Sequence, residues 1–392
     1  MSRLRVLSIS TLYPNPANPN FGVFVERQMQ AVAKRGDVDL VMVNPVGLPP
    51  FPLSLHPRYR AVANLPEREE RGGVTVLRPR FRLLPGIGGR FNARAVARAV
   101  LPLARRLHAE LPIDLVDAQF FYPDGPAAVR IARKLGLPSS IKARGADIHH
   151  WGSAPGVAGQ VLAAGQQASG LLAVAQGLAD DMTALGIDPA KITIHRTGLN
   201  ADLFRPLDQK LCRDELGLPR QAKVLACVGA LIPRKGQRYA IEAMPLLPEA
   251  TLVLAGKGED EAMLKALAKS LGVEDRVRFL GAVPHDRLPI VLNAADVFVL
   301  PTASEGLANA WVEALACGTP VVTTPIPGAV ELLTDPAWGA FAARDKLAIA
   351  IEVSQILADP PSREVVQAAT AGFSWQANAA ALVEYWRRLA AR

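Results

Sequence analysis

The feature that most constrains the fold is a pattern that occurs twice, in which a short β-branched run is followed by a turn and then by an Ala-rich amphipathic segment. In the first half, runs such as RVLSIS and VDLVMV alternate with helical segments such as GPAAVRIARKLG. From about residue 222 the pattern begins again with AKVLACVGA and GQRYAIEAMPLL. Alternating strands and helices form parallel sheets with helices on both faces. Two such series predict two Rossmann-like domains.

A polar segment rich in turn formers, LNADLFRPLDQKLCRDELGLPRQ, separates the two series. We therefore predict an N-terminal domain of residues 1–205, a C-terminal domain of residues 206–372 and a separate amphipathic helix in residues 373–392. No apolar run reaches the ~18 residues of a membrane-spanning helix, and the N-terminus does not resemble a signal peptide. A cytoplasmic location is expected. The three cysteines lie far apart, which predicts neither a disulfide framework nor a Cys-rich metal site.

Positive charge is concentrated in residues 78–110, which hold eight arginines and a single acid. Arg94, Arg98 and Arg105 fall on one side of a predicted helix and apolar residues recur on another, although Pro102 interrupts the pattern. One interpretation is an anionic membrane surface or an anionic acceptor, which would extend the location to the inner face of the cytoplasmic membrane. The alternative is a solvated arginine face on a core-packed helix. Nucleic acid is less favoured, because no aromatic residues are interleaved for base stacking.

Ligands of open parallel sheets bind beyond the carboxyl ends of the strands, so each strand-to-helix junction is a candidate site. Gly22 lies where a loop enters a helix and would allow close backbone approach, although a plain turn explains it equally well. Gly229 ends a buried strand, and Arg234 and Lys235 follow before the next helix. Cations at that position suit a phosphate, and a merely solvated pair is the alternative.

A second junction, TASEGLANAWVEALACGTPVV, carries two glutamates in an otherwise apolar segment. We predict a strand over DVFVLPT, a turn over ASEG and a helix over LANAWVEALACG that Gly318 terminates. Glu305, Asn309 and Glu313 are spaced i, i+4 and i+8, which predicts one polar stripe facing a cleft. Eight residues of helix separate the two carboxylates by ~12 Å along the axis. That spacing argues against a glycoside hydrolase, whose acid pair lies about 5 to 9.5 Å apart.

Free backbone amides between the two glutamates, in residues 306–308, would attract an anion at the helix N-terminus. A ligand that matches the order carboxylate, amides, carboxylate has hydroxyls, then a diphosphate, then hydroxyls again. A nucleotide sugar fits this order. The alternative is a helix-start Glu305 that favours the helix dipole and an unrelated exposed Glu313.

These residues are recognisable as a motif. The stretch SEGLANAWVEALACGTPVV resembles the two-glutamate motif of family 4 retaining glycosyltransferases. FGVFVERQMQAVA, KARGADIH, ITIHRTGLNADLFRP, VGALIPRKG, LVLAGKGED and VRFLGAVP occur in the order that this family uses. The resemblance covers nearly the whole chain. It implies an α/β protein of the GT-B fold, with two Rossmann-like domains whose parallel sheets face across a cleft, and a C-terminal helix that crosses back to the first domain.

The resemblance also implies roles for individual residues. Glu313 would bind the ribose of the donor, Glu305 the hexose hydroxyls, and Lys235 the diphosphate. Gly22 matches the glycine loop of the acceptor-side domain, and Asp147 matches the acid of a motif that commonly reads His-Gly-x-Asp. The predicted catalytic residues are Glu305, Lys235, Arg144 and Asp147. The predicted donor-binding residues are Gly229, Arg234, Lys235, Val283, Glu305, Gly306, Leu307, Ala308, Asn309 and Glu313.

The chain departs from the family pattern at three positions. Ala230 stands where the commonest form has Arg, so the second diphosphate cation is either missing or supplied by Arg234. Thr197 stands where Asn often precedes glycine. Arg144 replaces His and cannot be a general base, because a guanidinium stays protonated. The family mechanism implies no need for such a base, since the leaving phosphate oxygen accepts the acceptor's proton on the same face. Catalysis then consists of positioning and of stabilising the leaving diphosphate.

The resemblance thus predicts a hexosyltransferase that uses a UDP- or GDP-sugar and a saccharide or lipid-linked saccharide acceptor, in cell-surface polysaccharide synthesis. We expect no metal and no cofactor beyond the donor. A pyridine-nucleotide dehydrogenase is disfavoured, because no G-x-G-x-x-G follows the first strand of either half. An inverting transferase, a nucleotide-sugar epimerase and a non-catalytic nucleotide-sugar-binding protein are the alternatives.

Overall fold

The computed structural model describes residues 3–19, 21–85 and 89–391. The chain divides into two compact units. The N-terminal unit comprises the residues up to Gly198 together with those from Trp375 onward, and the C-terminal unit comprises Leu199–Ser374. The sequence placed these boundaries after residues 205 and 372. Each unit is an α/β structure with a largely parallel sheet, which confirms the predicted fold class.

The strands of the N-terminal unit follow the predicted runs and add others that the sequence did not predict. Among the described residues, eight of them form one sheet in the order β10-β9-β8-β7-β1-β2-β5-β4, and β3 pairs with β6 separately. The strands are β1 (Leu4–Ile9), β2 (Val38–Val43), β3 (Val46–Leu48), β4 (Arg68–Arg71), β5 (Val74–Leu77), β6 (Arg80–Arg82), β7 (Leu115–Ala118), β8 (Ser139–Ala143), β9 (Gly170–Ala173) and β10 (Ile192–Ile194).

Helices connect these strands on both faces of the sheet, as parallel pairing requires. They are α1 (Val23–Lys34), α2 (Pro57–Ala63), α3 (Asn92–Glu110), α4 (Asp124–Leu135), α5 (Ala146–His149), α6 (Ala158–Gln167) and α7 (Gln176–Ala184).

The strand order of this sheet reverses between β1 and β7. The chain proceeds from β1 outward to β2 and then returns to β7 on the other side. A crevice opens at such a switch point beyond the carboxyl ends of the two strands. One edge departs from the expected parallel pattern, because β4 pairs antiparallel with β5 through a turn at Gly72 and Gly73. Both glycines have positive φ, which suits a tight hairpin.

The C-terminal unit repeats the plan with one sheet in the order β13-β12-β11-β14-β15-β16, all pairs parallel. Its switch point lies between β11 and β14. The strands are β11 (Lys223–Val228), β12 (Ala250–Ala255), β13 (Val277–Gly281), β14 (Val297–Leu300), β15 (Val321–Thr323) and β16 (Gly339–Phe341). The helices are α8 (Gln209–Glu215), α9 (Gln237–Ala243), α10 (Glu261–Ser270), α11 (Leu288–Ala294), α12 (Asn309–Ala316), α13 (Pro327–Leu332), α14 (Lys346–Ala358) and α15 (Arg363–Gln367).

The last helix, α16 (Trp375–Ala390), belongs to the N-terminal unit and packs against α1, β7 and β8. Trp386 is fully buried, and its Nε1 donates to Oδ1 of Asp117 at 3.1 Å. Nearer the start of the helix, Nε2 of His195 lies 2.9 Å from the carbonyl oxygen of Asn378. Nδ1 of the same ring lies 2.6 Å from Nζ of Lys142. Asp117 on β7 and His195 after β10 therefore hold this helix in addition to its apolar face, and Lys142 on β8 supports His195.

The basic segment forms one continuous helix, α3, which runs through Pro102 without a break. The expectation that this proline interrupts the pattern is wrong, because the helix holds it at an exposed position and is anchored by buried residues before and after it. Arg94, Arg98 and Arg105 are exposed, as the periodicity predicts. Its buried face consists of Ala93, Val96, Ala97, Val100 and Ala104.

Candidate active site

Two cations and one carboxylate meet at the switch point of the C-terminal unit. Nζ of Lys235 lies 2.5 Å and Nη1 of Arg234 lies 2.7 Å from Oε1 of Glu305. The side chains of Lys235 and Glu305 are only 15% and 13% exposed, so that water screens their charges weakly. Two positive charges on one carboxylate leave a net charge of about +1 in the cluster. The sequence placed these three residues on two separate junctions, and the fold brings them together.

Neighbouring groups fix this cluster in place. Oγ1 of Thr302 donates to Oε1 of Glu305 at 3.1 Å, and Nη1 of Arg234 also donates to the carbonyl of Ser304 at 2.5 Å. Arg344 donates from Nε to the carbonyl of Pro301 at 3.1 Å and from Nη2 to that of Pro233 at 2.8 Å. Arg344 thereby ties the loops after β11 and β14 to each other. The sequence reasoning missed Arg344, because it lies far along the chain in a segment without a recognisable motif.

Gly229 lies directly after β11 and has a φ of 152°, which side chains rarely allow. The next loop packs closely against it, since Gly229 N donates to Ala255 O at 3.0 Å and a Cβ on Gly256 would collide with Gly229 O. The side chain of Lys235 is also near, since a Cβ on Gly229 would be in ordinary van der Waals contact with its Cε at 3.8 Å. Glycine is therefore needed here for the backbone conformation and not for the space beside the lysine.

The second glutamate has a partner of its own. Oε1 of Glu313 lies 2.8 Å from Nε2 of His285, and both side chains are largely buried, at 13% and 23% exposure. The His285 ring also stacks edge-on against Phe204, with ring centroids 5.1 Å apart. His285 follows β13 in the same loop as the predicted donor-binding Val283, which is half-buried. His285 lies in the strand-to-helix connection between β13 and α11, and that position was the one sequence signal that could have marked it.

The helix that carries the glutamates begins later than predicted. It spans Asn309–Ala316, with Ala308 as its N-cap, so Glu305 lies in the preceding turn and not on the helix. The polar stripe and the ~12 Å axial spacing therefore do not apply to Glu305, and Gly306, Leu307 and Ala308 precede the first helical turn. Three side-chain donors to Glu305, from Arg234, Lys235 and Thr302, hold this segment in a turn. The glycine that follows Glu305 also disfavours helix. The predicted end is confirmed, because Gly318 follows with a φ of 75°.

In the N-terminal unit, Arg144 lies directly after β8 and is held by glutamines from two other elements. Its Nε donates to the carbonyl of Gln119 at 2.7 Å, and its Nη2 donates to Oε1 of Gln119 at 2.7 Å and of Gln28 at 2.9 Å. The guanidinium lies over the ring of Phe24, 4.8 Å from its centroid. Burial lowers the pKa of Arg144 to about 10, against the effect of nearby Asp147 and Asp117. Arg144 therefore stays charged at neutral pH, and its charge lies beside the β1–β7 switch point.

Asp147 is completely buried and accepts backbone hydrogen bonds from its own loop and from the segment after β7. The N–H groups of Phe121, Arg144 and Gly145 donate to its carboxylate at 2.8, 2.9 and 2.8 Å. Burial raises the pKa of Asp147, and these three hydrogen bonds oppose that effect. A carboxylate in this position shapes the loop that carries Arg144. Its geometry favours a positioning role over contact with a substrate, and the predicted catalytic role stays a prediction.

Gly22 is the N-cap of α1, with a φ of 79°. A Cβ at this position would lie 2.6 Å from the backbone carbon and oxygen of Leu12. Both observations require glycine, since backbone cannot move aside as a flexible side chain can. The loop that follows β1 therefore packs directly on the start of the helix that carries Gln28, one of the partners of Arg144.

A small groove of about 260 Å³ lies between α3 and α4. Its lining, all within the described residues, contains five cations and no acid, with an apolar floor. Burial lowers the pKa of Arg130, and neighbouring Arg94 and Arg133 lower it further. Like charges are thus crowded around a partly desolvated guanidinium. The lining residues are Arg94, Ala97, Arg98, Leu101, Arg130, Ile131, Arg133 and Lys134.

Comparison of the chain with known proteins identifies its family. Residues 208–372 match the family described as glycosyl transferases group 1, and residues 21–198 match the glycosyl transferase 4-like domain. The putative teichuronic acid biosynthesis glycosyltransferase TuaC of Bacillus subtilis is 31% identical over 340 residues, which cover 84% of this chain and 83% of TuaC. The chain belongs to the GT4-like glycosyltransferases of group 1. The resemblance predicted from the motifs is confirmed at this level.

One further relative and two solved structures are also similar to this glycosyltransferase. A D-inositol 3-phosphate glycosyltransferase of Mycobacterium leprae is 35% identical over 213 residues, about half of each chain. Sucrose-phosphate synthase from Thermosynechococcus elongatus superimposes with a TM-score of 0.79 at 21% identity, over 99% of this chain and all of that one. HepE of Anabaena, solved with UDP-glucose, gives 0.74 at 20% identity over 99% and 100%. These structures share the GT-B fold, which confirms the predicted fold.

Among the described residues of the glycosyltransferase, none of the helices combines the length and the apolar character that a bilayer-spanning segment requires.

Proposed function

We propose that this glycosyltransferase transfers a hexosyl unit from a nucleoside diphosphate sugar to a saccharide or lipid-linked saccharide acceptor, with retention of the anomeric configuration. The observation that carries the proposal is the cluster of Arg234, Lys235 and Glu305. Among the described residues, the ammonium of Lys235 donates to Glu305 alone, so two of its three N–H donors can bind a diphosphate. The carboxylate beside it can accept from sugar hydroxyls. Phosphate and hexose would thus be bound by adjacent groups.

The donor would lie along the carboxyl ends of the strands of the C-terminal unit. In this proposal Glu313 accepts from the ribose hydroxyls, Val283 contacts the base, and the backbone amides of residues 306–309 assist Lys235 at the diphosphate. The HepE structures, solved with UDP and glucose and with UDP-glucose, support a UDP-sugar as the first donor to test. GDP-sugars are the second choice.

We propose that the leaving phosphate itself accepts the proton of the acceptor hydroxyl. Arg144 stays charged at neutral pH and cannot serve as a base. The chain's contribution would be positive charge, from Lys235 and Arg234, on the oxygen at which negative charge develops. No metal or cofactor takes part in this proposal, because the two cations supply the charge that a metal supplies elsewhere.

The acceptor is proposed from the relatives. TuaC is named for teichuronic acid biosynthesis, which supports a role in the synthesis of a cell-surface polysaccharide. Arg144 offers a fixed positive charge beside the switch point of the N-terminal unit. We propose that this charge and the loop at Gly22 bind the acceptor.

Donor binding, turnover and stereochemistry can be tested with one set of measurements. Thermal shift over the common UDP- and GDP-sugars should identify the donor by a raised melting temperature. Release of the nucleoside diphosphate, followed with and without EDTA, should then be equal in the two conditions. Proton NMR of the product should show the anomeric configuration of the donor. An inverted product would contradict the retaining mechanism, and loss of activity in EDTA would contradict metal independence.

Two alternatives predict different outcomes of this experiment. A non-catalytic nucleotide-sugar-binding protein would raise its melting temperature with the donor and release no nucleoside diphosphate. An epimerase would convert the sugar of the donor without an acceptor. Both alternatives are tested because the chain departs from the family pattern at Ala230 and Arg144.

We further propose that the groove between α3 and α4 contacts anionic phospholipid at the inner face of the cytoplasmic membrane. Each cation near an anionic surface contributes about 1 kcal/mol at low salt. The double variant Arg98→Glu with Arg133→Glu should therefore lose most of its binding to vesicles of phosphatidylglycerol in a sedimentation assay. Neutral phosphatidylcholine vesicles and the control Lys265→Glu with Arg238→Glu, on exposed helices of the other unit, give the baseline. Equal sedimentation of the two double variants would contradict the membrane role.

A further inference from the structure

His285 and Glu313 form a hydrogen-bonded pair that holds one oxygen of the Glu313 carboxylate, Oε1, in place. A carboxylate has no hydrogen to donate, so Nε2 of His285 carries the proton and donates it to Oε1 of Glu313 over 2.8 Å. Nδ1 of the ring is buried and has no hydrogen-bond partner among the described residues. The ring therefore presents its one effective donor to Glu313. This leaves Oε2 of the carboxylate as the acceptor for another ligand.

The His285 ring is itself held in place by an aromatic contact with Phe204. Phe204 is 1% exposed and meets the imidazole edge-on at 5.1 Å between centroids. His285 also begins the short turn His285–Arg287 that leads directly into α11. The imidazole is thus supported by an aromatic contact and by its position at the start of a helix. A glutamate without such a partner would lose side-chain entropy of up to about 2 kcal/mol on binding a ligand.

The loop of His285 also holds a residue assigned to the donor. Val283 lies two residues before His285, after the end of β13 at Gly281, where Gly256 N donates to Gly281 O at 2.8 Å. That hydrogen bond links the loop to the glycine turn after β12. A single short segment therefore connects the proposed base contact, through His285, to the proposed ribose carboxylate.

We propose that His285 is a positioning residue for the nucleoside of the donor, and that it turns Oε2 of Glu313 toward the ribose hydroxyls. The proposal rests on the proposed function, in which Glu313 binds ribose. His285 touches neither the diphosphate nor the hexose in this assignment. Its contribution is preorganisation of an acceptor, which lowers the cost of ordering that acceptor on binding. Its loss should therefore weaken donor binding and leave the chemical step nearly unchanged.

The variant His285→Phe separates this role from packing, because phenylalanine keeps a ring against Phe204 and removes the N–H donor. A hydrogen bond to a charged group corresponds to about a tenfold effect on binding. We expect the donor KM and the Kd for UDP or GDP, whichever the wild type binds more tightly, to rise about tenfold with kcat within about twofold. His285→Gln keeps an N–H donor and should recover part of the affinity. The control His149→Phe removes a similar pair, His149 with Asp181 at 2.8 Å in the N-terminal unit, and should leave both constants unchanged.

A ligand without ribose hydroxyls provides the decisive comparison. Inorganic pyrophosphate and the 2′,3′-dideoxy nucleoside diphosphate should bind the wild type and His285→Phe equally well. Equal affinity of the two proteins for the full nucleoside diphosphate would overturn the positioning role. Equal weakening of all three ligands would overturn it as well, since it would indicate a general disturbance of the site. If Glu313→Gln also binds the nucleoside diphosphate as the wild type does, the failure lies in the proposed ribose role of Glu313. If that variant is weakened and His285→Phe is not, only the role of His285 fails.

Discussion

Replacing Lys235 by alanine is expected to lower kcat for sugar transfer about 10²- to 10³-fold, the effect of removing one preorganised donor at a developing negative charge. The ammonium is only 15% exposed, so water screens its charge weakly, and with Arg234 it leaves a net positive charge beside Glu305 for a neighbouring anion. The alanine variant should fold normally, because Arg234 continues to pair with Glu305 at 2.7 Å and no carboxylate is left without a partner. Steady-state kinetics with the identified donor and circular dichroism check the two parts of this prediction.

Two further variants sharpen this prediction. Lys235→Arg keeps the charge but replaces a compact ammonium by a planar fork, and we expect it to recover binding of the nucleoside diphosphate more than turnover. Lys257→Ala removes an exposed lysine from the neighbouring loop of the same unit and serves as the matched control. A Lys235→Ala enzyme with turnover within a factor of three of the wild type would refute the assignment of the diphosphate to this cluster.

The fold was largely predictable from the sequence, because buried parallel strands are continuous β-branched runs. VLSI in β1 and VLACV in β11 are examples, and both were recognised. The hairpin of β4 and β5 was not, since REER in β4 has alternating exposure on an edge and no apolar run. Edge strands carry charge to avoid pairing with other chains, and charge conceals them from hydrophobic patterns.

The site was predictable in its residues but only partly in its geometry. Lys235 and Glu305 were identified from separate junctions, and their direct pairing depends on the order of β11 and β14 in the sheet. Glu305 was placed correctly in the turn before the helix, but the i, i+4, i+8 spacing wrongly joined it to Asn309 and Glu313 as one helical stripe. Its hydrogen bonds with residues distant in the chain hold it in the turn. His285 was missed for the same reason. Its meaning comes from a contact with Glu313, 28 residues away.

In the N-terminal unit, the sequence did not indicate which polar residues contact Arg144. In the sequence, Gln119 is an ordinary polar residue of a loop and Gln28 an ordinary polar residue of a helix. Only the parallel order of β7 and β8 brings Gln119 to the arginine, and only the packing of α1 brings Gln28. Buried polar networks have no periodic signal, because each member is selected by its partners and not by its place in an element.

Replacing Trp386 by alanine is the second change with a large expected effect, a loss of about 3–5 kcal/mol in the free energy of unfolding. The indole is fully buried between α16 and the sheet of the N-terminal unit. Its removal leaves a cavity and takes one of three side-chain donors from Asp117, which also accepts from Ser8 at 2.8 Å and Gln119 at 2.6 Å. For a unit of about 200 residues this corresponds to a fall in Tm of roughly 10 °C, which scanning calorimetry would detect.

Trp386→Phe separates the effect of the cavity from that of the lost hydrogen bond, because phenylalanine keeps most of the ring and removes the donor to Asp117. We expect a loss of about 1–2 kcal/mol for that variant, since a buried acceptor loses one of its hydrogen bonds.

Trp338 in the C-terminal unit is the control: its Nε1 also donates to an oxygen, that of Val365 at 3.1 Å, but the side chain is partly exposed. Trp338→Ala should therefore cost clearly less than Trp386→Ala. If the two alanine variants unfold at the same temperature, burial of the indole is not what fixes α16, and the polar contacts of Asn378 with His195 would have to hold the helix in its place.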